Sequence, residues 1–209
     1  MGYTLTATRA AEAAREESLT GADAAMERYA QGDDTAFGEI YDDLAPRLAR
    51  YFRRHTSSTS LVEDLVQQTL LHIHRARGSF IPGARVLPWA FAISRRLLID
   101  TSRRSSRELL LSEAELLGKT QSLASAEWGG DQLLHARRLA ERLARVLADL
   151  PEGQRAAYEL LKHDGLSIAQ AAEVLGVSPG AVKVRAHRAY EALRAVLRES
   201  GEIEAGGEA

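Results

Sequence analysis

Lys183, Arg185, His187 and Arg188 stand within six positions of one another, interleaved with small apolar residues in the run PGAVKVRAHRAYEALR. A second basic set lies upstream. Five arginines fall within 95–107, Arg95 among them, and Arg96, Asp100, Arg103 and Arg107 recur at spacings of four, three and four, one face of a helix. Such sets grip polyanions. Lys and Arg donate to phosphate oxygens or to guanine O6 and N7, a histidine donates to a base acceptor, and an apolar side chain such as Val184 meets a thymine methyl. Nothing comparable supports catalysis. The absence of cysteine removes thiolate nucleophiles, disulfides and cysteine-based zinc sites, and suits a reducing compartment. His72 and His74, two apart on a helix, point about 200 degrees from each other and cannot share a metal. No phosphate-binding loop or nucleophile motif is present, so the expectation is no catalytic residue, no metal and no cofactor.

The averages hide this chemistry. Net charge is only −2 over 209 residues, because acid gathers near the front at Asp23, Glu27, Asp33, Asp34, Glu39, Asp42 and Asp43 while the basic stripes lie elsewhere. An apolar content of 45% suffices for one generous core or two small ones. Apolar residues recur at three and four rather than two, and no hairpin turn separates alternating runs, so the fold class is all-α. No apolar run approaches the roughly 20 residues of a membrane span, and the first turns of the chain lack a signal-like apolar core. The expectation is a soluble, cytoplasmic protein with no direct membrane insertion; the opening MGYTLT fits the loose myristoylation pattern, which arises often by chance.

The spacing predicts two small helical domains joined by a flexible linker. Residues 1–22 lack an apolar stripe and read as a frayed tail. The first domain spans 23–107. In it Phe37, Ile40, Tyr41, Leu44, Leu48, Tyr51 and Phe52 follow helical spacing, with Pro46 expected to kink or split the segment. The next helix is expected to begin at a Ser60 cap with Glu63 reaching back. Its stripe of Val62, Leu65, Val66, Thr69, Leu70 and Ile73 leaves Asp64, Gln67 and Gln68 on the polar side. Residues 78–87, with Gly78, Pro82 and Gly83, form a loop carrying Phe80 and Arg85. Pro88 then suits the first turn of a helix that turns Trp89, Ile93 and Leu97 inward. Residues 108–131 loosen into a linker, 132–198 form the second domain, and 199–209 are an acidic, glycine-rich tail.

Within the second domain, Ser167 and Gln170 form a capping box, Gly176 supplies a C-terminal turn, and Ser178 caps a new helix with Pro179 at its first position. A short helix, a glycine turn and a second helix make a helix-turn-helix, whose second helix enters the major groove. Val182, Ala186, Ala189, Leu193 and Val196 form the inner stripe against Ala171, Ala172 and Leu175. Gly180, Lys183, Val184, His187, Arg188 and Glu191 remain outward, and Arg185 belongs to the same basic run.

Taken together, the two blocks resemble an extracytoplasmic-function sigma factor, the small type of bacterial RNA polymerase initiation subunit. The stretch LPEGQRAAYELLKHDGLSIAQAAEVLGVSPGAVKVRAHRAYEALR is similar to the family's region 4. By that resemblance Gly180, Lys183, Val184, Arg185, His187 and Arg188 would read the upstream (−35) element. EDLVQQTLLHIH resembles the region 2 helix that docks on core RNA polymerase, which implies polymerase contact by Asp64, Gln67 and Gln68. LPWAFAISRRLLIDTSRR resembles the helix that melts and holds the −10 element. The loop before it would capture a flipped base, with Phe80, Arg85, Arg95, Arg96, Arg103 and Arg107 as DNA contacts. The chain departs from the family at Gln68, where Glu is usual, at His74, where Trp is frequent, and at Arg96, where Asn is frequent; Ala181 and Val184 stand where Thr and Ser are common. The implied partners are core RNA polymerase, promoter DNA in duplex and melted form, and an anti-sigma factor. Two rival classes are an enzyme, which has no residues to support it, and a stand-alone helix-turn-helix regulator, which would bind palindromic duplex without polymerase.

Overall fold

The computed structural model describes residues 20–108 and 130–200; the tails and the segment 109–129, and with them most of the expected linker, lie outside the described residues. Every described element is helical, as expected. The first group is α1 (Gly21–Ala30), α2 (Phe37–Arg53), α3 (Thr59–Ala76) and α4 (Val86–Glu108), with 3-10 turns at Asp34–Ala36 and Arg77–Ser79. The second is α5 (Gly130–Asp149), α6 (Glu152–Lys162), α7 (Ile168–Leu175) and α8 (Pro179–Glu199).

In the first group each helix packs on its neighbours through the periodic stripes. Ile40, Leu44, Leu48 and Phe52 of α2 meet Leu65 and Ile73 of α3, all fully or almost fully buried. One polar pair sits in that core: Thr69 Oγ1 donates to the Leu65 carbonyl at 2.8 Å and lies 3.3 Å from Ser94 Oγ, while Ser94 donates to the Ala90 carbonyl at 2.8 Å. Both hydroxyls are thereby satisfied, which removes the cost of burying them.

Three local expectations change. Helix α2 runs unbroken through Pro46. Pro46 and Asp42 both face solvent, where water takes the carbonyl that proline leaves without a donor. Helix α3 is capped by Ser58, whose Oγ accepts from the Leu61 N–H at 3.2 Å, and not by Ser60, whose hydroxyl bonds to Ser58 instead. The run TSSTS offers several candidate caps, and periodicity cannot choose among them. Helix α4 starts at Val86, so the expected loop ends earlier, with Pro88 still inside the first turn where a missing N–H costs nothing.

The early start of α4 has an identifiable cause in Asp23, which is only 1% exposed. Its carboxylate closes a capping box on α1, accepting from the Thr20 N–H at 2.8 Å while Thr20 Oγ1 accepts from the Asp23 N–H at 3.3 Å. The same carboxylate accepts from the Val86 N–H at 2.8 Å and lies 3.5 Å from the Arg85 guanidinium. One side chain therefore caps its own helix and satisfies an orphan donor at the head of another.

Asp23→Ala is expected to lower stability by about 2–4 kcal/mol, the sum of a lost cap and of buried donors left unpaired. Urea denaturation followed by circular dichroism measures it, and a loss below about 1 kcal/mol would refute the pinning role assigned to this carboxylate.

Candidate nucleic-acid interface

The helix-turn-helix is built as its sequence requires. Ser167 and Gln170 exchange the two capping bonds at 3.2 and 2.9 Å. Gly176 takes φ +63°, a left-handed conformation that glycine alone adopts without strain. The Val177 N–H then reaches the Ala172 carbonyl at 3.1 Å and the Gly176 N–H the Glu173 carbonyl at 3.3 Å, the paired bonds of a Schellman turn. One residue later Ser178 Oγ accepts from the Ala181 N–H at 3.2 Å and α8 begins with Pro179. Val182, Ala186, Ala189, Leu193 and Val196 are buried on its inner side, against a face of α7 that buries Ala171, Ala172 and Val174.

The opposite side of α8 exposes Gly180, Lys183, Val184, His187 and Arg188, with Val184 52% exposed. Arg185 is not part of that face. It is half-buried and folds over α6, its guanidinium close enough that a methyl group on Gly153 would meet it at 3.3 Å. The spacing of 183, 187 and 188 therefore identifies the outward stripe better than basicity alone.

On α4, Arg96 and Arg103 are exposed as expected. Arg95 is ion-paired with Glu152 at the start of α6, and Arg85 is turned inward onto Asp23. Arg107 lies on the helical backbone of α4, its side chain outside the described residues. Phe80 and Trp89 pack ring to ring with centroids 5.5 Å apart, both half-buried, beside a cavity of about 420 Å³ whose walls include Ile81, Arg85 and Glu173. Trp89 thus leans into the core while its ring edge helps shape the recess.

Asp64, Gln67 and Gln68 are all exposed on α3, and Leu71, 43% exposed, continues their stripe one step further. Leu71 is legible in the sequence as an apolar residue on a polar face, at i+4 from Gln67. His74 is occupied differently: its Nδ1 lies 2.5 Å from Tyr29 Oη, and Arg77 stacks on the Tyr29 ring at 4.8 Å, which fastens α1 to the end of α3.

A further ionic cluster joins the two helix groups. Arg54 Nη2 donates to both oxygens of Asp164 at 2.7 and 2.6 Å, and His55 Nε2 lies 3.3 Å from Glu159 Oε2. Burial pushes the Glu159 carboxyl up, but the His55 ring, Arg54 and Arg155 together outweigh it and hold it below the usual carboxylate range. For Asp164 burial prevails over Arg54 and pushes the carboxyl up. Burial, reinforced by Arg54, pushes the His163 imidazolium down. No motif announces this cluster, because its partners are more than a hundred residues apart.

The second helix group matches the family described as Sigma-70, region 4, over residues 140–193, and the first matches Sigma-70 region 2 over residues 40–108. The fold and its two basic faces thus define a two-part sigma-type transcription factor. Among full-length relatives, the ECF RNA polymerase sigma factor SigF of Caulobacter vibrioides is 36% identical over 179 residues, covering 85% of this chain and 94% of that protein. RNA polymerase sigma factor CarQ of Myxococcus xanthus is 34% identical over 174 residues, covering 83% and 96%. The chain belongs to the ECF RNA polymerase sigma factor family, and its function is transcription initiation by promoter recognition. Among solved structures it is similar to CnrH in complex with the cytosolic domain of CnrY, with a TM-score of 0.63 and 26% identity over 86% of this chain and 99% of that one. It is also similar to the sigma factor RpoE of Bartonella quintana in complex with the anti-sigma factor NepR, with a TM-score of 0.59 and 26% identity over 78% and 96%. Among the described residues no helix is long and apolar enough to cross a membrane.

The two shifted carboxyls oppose each other. Glu159, held low, stabilises the packed state above the ordinary carboxylate range and loses that contribution as pH falls; Asp164, pushed up, favours the packed state when protonated and loses that contribution as pH rises. Asp164→Asn leaves Glu159 unopposed, so stability is expected to fall more steeply than in the wild type between about pH 6 and 4. Urea midpoints across that range measure it, and parallel slopes would refute the assignment.

Proposed function

We propose that this chain binds core RNA polymerase through the exposed face of α3 and reads the two promoter elements with α8 and with α4 and its preceding loop. The exposed, groove-sized stripe of Lys183, Val184, His187 and Arg188 on a capped helix-turn-helix carries the reading. Lys183 and Arg188 serve phosphates or guanine edges, His187 a base acceptor and Val184 a thymine methyl. Arg185 supports the helix from behind. On α4, Arg96 and Arg103 hold the backbone of the melted strand. The recess beside Phe80 and Trp89 receives an unstacked base, recovering part of the few kcal/mol that extrusion costs. Arg95 joins them only after Glu152 releases it, and Arg107 extends the stripe.

Asp64, Gln67, Gln68 and Leu71 make the polymerase contact, three polar groups around one apolar anchor. The working units are 23–107 and 132–198, with 108–131 between them and 1–22 and 199–209 outside both. The protein works in the cytoplasm, performs no catalysis itself and needs no cofactor or metal. An anti-sigma factor restrains it, as the solved complexes of CnrH and of Bartonella RpoE illustrate for those proteins.

Run-off transcription with and without core enzyme tests the reading: RNA from a cognate promoter is expected only when both are present, and no stimulation would reject it. Lys183→Ala and Arg188→Ala distinguish the two kinds of DNA contact. Removing a cation that holds a phosphate should flatten the slope of log affinity against log salt by about 0.9, whereas removing one that reads a base should cost about 1–3 kcal/mol at one promoter position and leave the slope nearly unchanged. Binding of the holoenzyme to duplex promoter fragments over a salt series reads both.

A further inference from the structure

Helix α1 lies ahead of residue 40, where the region 2 match begins, yet three of its side chains hold the loop between α3 and α4 at its start, middle and end. Tyr29 takes the start: Arg77 Nη1 donates to its hydroxyl at 3.2 Å while the guanidinium covers its ring. Asp23 takes the end, through the Val86 N–H and Arg85. Glu27, one helical turn along α1 from Asp23, takes the middle, where its Oε1 accepts from the Gly83 N–H at 2.5 Å. A tight turn stands there. The Ala84 N–H donates to the Ile81 carbonyl at 3.0 Å, and Gly83 has φ +81°. Pro82 fixes the second position of the turn at negative φ, and a left-handed third position makes it type II. Types I and II differ by about a half-turn of the central peptide, so here the Gly83 N–H and the Pro82 carbonyl point to opposite sides.

We propose that Glu27 is a positioning residue for promoter reading: by claiming the Gly83 N–H it locks the Pro82–Gly83 peptide, so that the turn offers an extruded base an acceptor and no donor. The inference deepens the reading of the recess beside Phe80 and Trp89 as the seat of that base, and rests on it. Ile81, Gly83 and Ala84 belong to the walls of the recess, so the central peptide of the turn stands at its edge. Adenine N6 and cytosine N4 can donate to the Pro82 carbonyl. Guanine O6 and thymine O4 only accept, and would need the N–H that Glu27 has taken. Without Glu27, Tyr29 and Asp23 still hold the two ends of the loop, but the central peptide is free to turn over, since Pro82 suits both turn types and Gly83 either sign of φ. The effect is local. The cap of α1 depends on Thr20 and Asp23, and Glu27 is only half-buried.

Open-complex formation by the holoenzyme, on promoters carrying each of the four bases at the extruded position, tests the latch. The wild type is expected to favour adenine or cytosine over guanine or thymine by about tenfold, Glu27→Ala to narrow that ratio to about twofold, and Glu27→Gln, whose amide oxygen still accepts from Gly83, to restore most of it. A merely structural role would slow all four promoters alike. Glu27→Ala with a ratio as wide as the wild type's would therefore overturn the proposal, as would a wild-type preference for guanine or thymine. Hydrogen exchange at the Gly83 amide of the full chain, followed by NMR, needs no polymerase: it should quicken about tenfold in Glu27→Ala and stay slow in Glu27→Gln, and equal rates in all three would sink the latch. A Gly83 amide that responds as expected, in a holoenzyme indifferent to the base, refutes the recess as a base seat and leaves only the turn contact standing. A base preference that Glu27→Ala leaves intact does the reverse.

Discussion

The buried carboxylate of Asp23 sets the geometry on which the promoter-facing half of the molecule depends. It takes hydrogen bonds from Thr20 at the head of α1 and from Val86 at the head of α4, residues more than sixty positions apart. A charge taken out of water is tolerated only where donors replace the lost hydration, and here the Thr20 N–H and hydroxyl and the Val86 N–H do so, with Arg85 nearby. The consequence is positional. With Val86 fixed as the first residue of α4, the rings of Phe80 and Trp89 meet, the recess beside them opens, and Arg96 and Arg103 fall on the outer face. Arg85 looks like a DNA contact by its place in the loop, but its charge is already committed to this pin.

That division of labour recurs among the arginines. Of the basic residues in the two stripes, some balance internal acid and others remain free for an external anion, and only position on the helix separates them. Arg95 and Arg96 are neighbours in sequence, yet one step of about 100 degrees around the helix sends the first to Glu152 and the second to solvent. Arg185 and Arg188 also diverge on α8, the first folding over α6 beside Gly153 and the second facing solvent. A net charge near zero is compatible with polyanion binding because acid and base are sorted by face, and the field at a surface depends on that sorting rather than on the sum.

What the sequence makes legible follows the range over which each signal acts. The helix-turn-helix is readable almost to the residue, since Ser167 with Gln170, Gly176, and Ser178 with Pro179 act within a few positions and have few alternatives. The stripes of α3 and α8 are readable for the same reason. Ser58 escapes a local reading because several hydroxyl residues in a row give equally good caps. The unbroken course of α2 through Pro46 depends on which side of the helix faces water. Asp23 reads as surface acid because its partners at Val86 and Arg85 are remote, and the Arg54–Asp164 and His55–Glu159 contacts stay hidden for the same cause. Within the interface, the outward set at 183, 184, 187 and 188 is legible, while the inward turn of Arg85, Arg95 and Arg185 requires the partners that claim them.

The contact between the two helix groups is of the kind that holds without locking. Its apolar part is the packing of α4 on α7, which supplies attraction with little directional preference. Its ionic part supplies direction: Arg54 on Asp164 and His55 on Glu159 fix one relative placement, but a buried ion pair contributes little net stability once desolvation is set against attraction. An interface of leucines would have been hard to open, and an interface of exposed charges would not have specified an arrangement. Combining a modest apolar contact with half-desolvated pairs specifies one placement at modest net stability, as is common for contacts between domains of one chain.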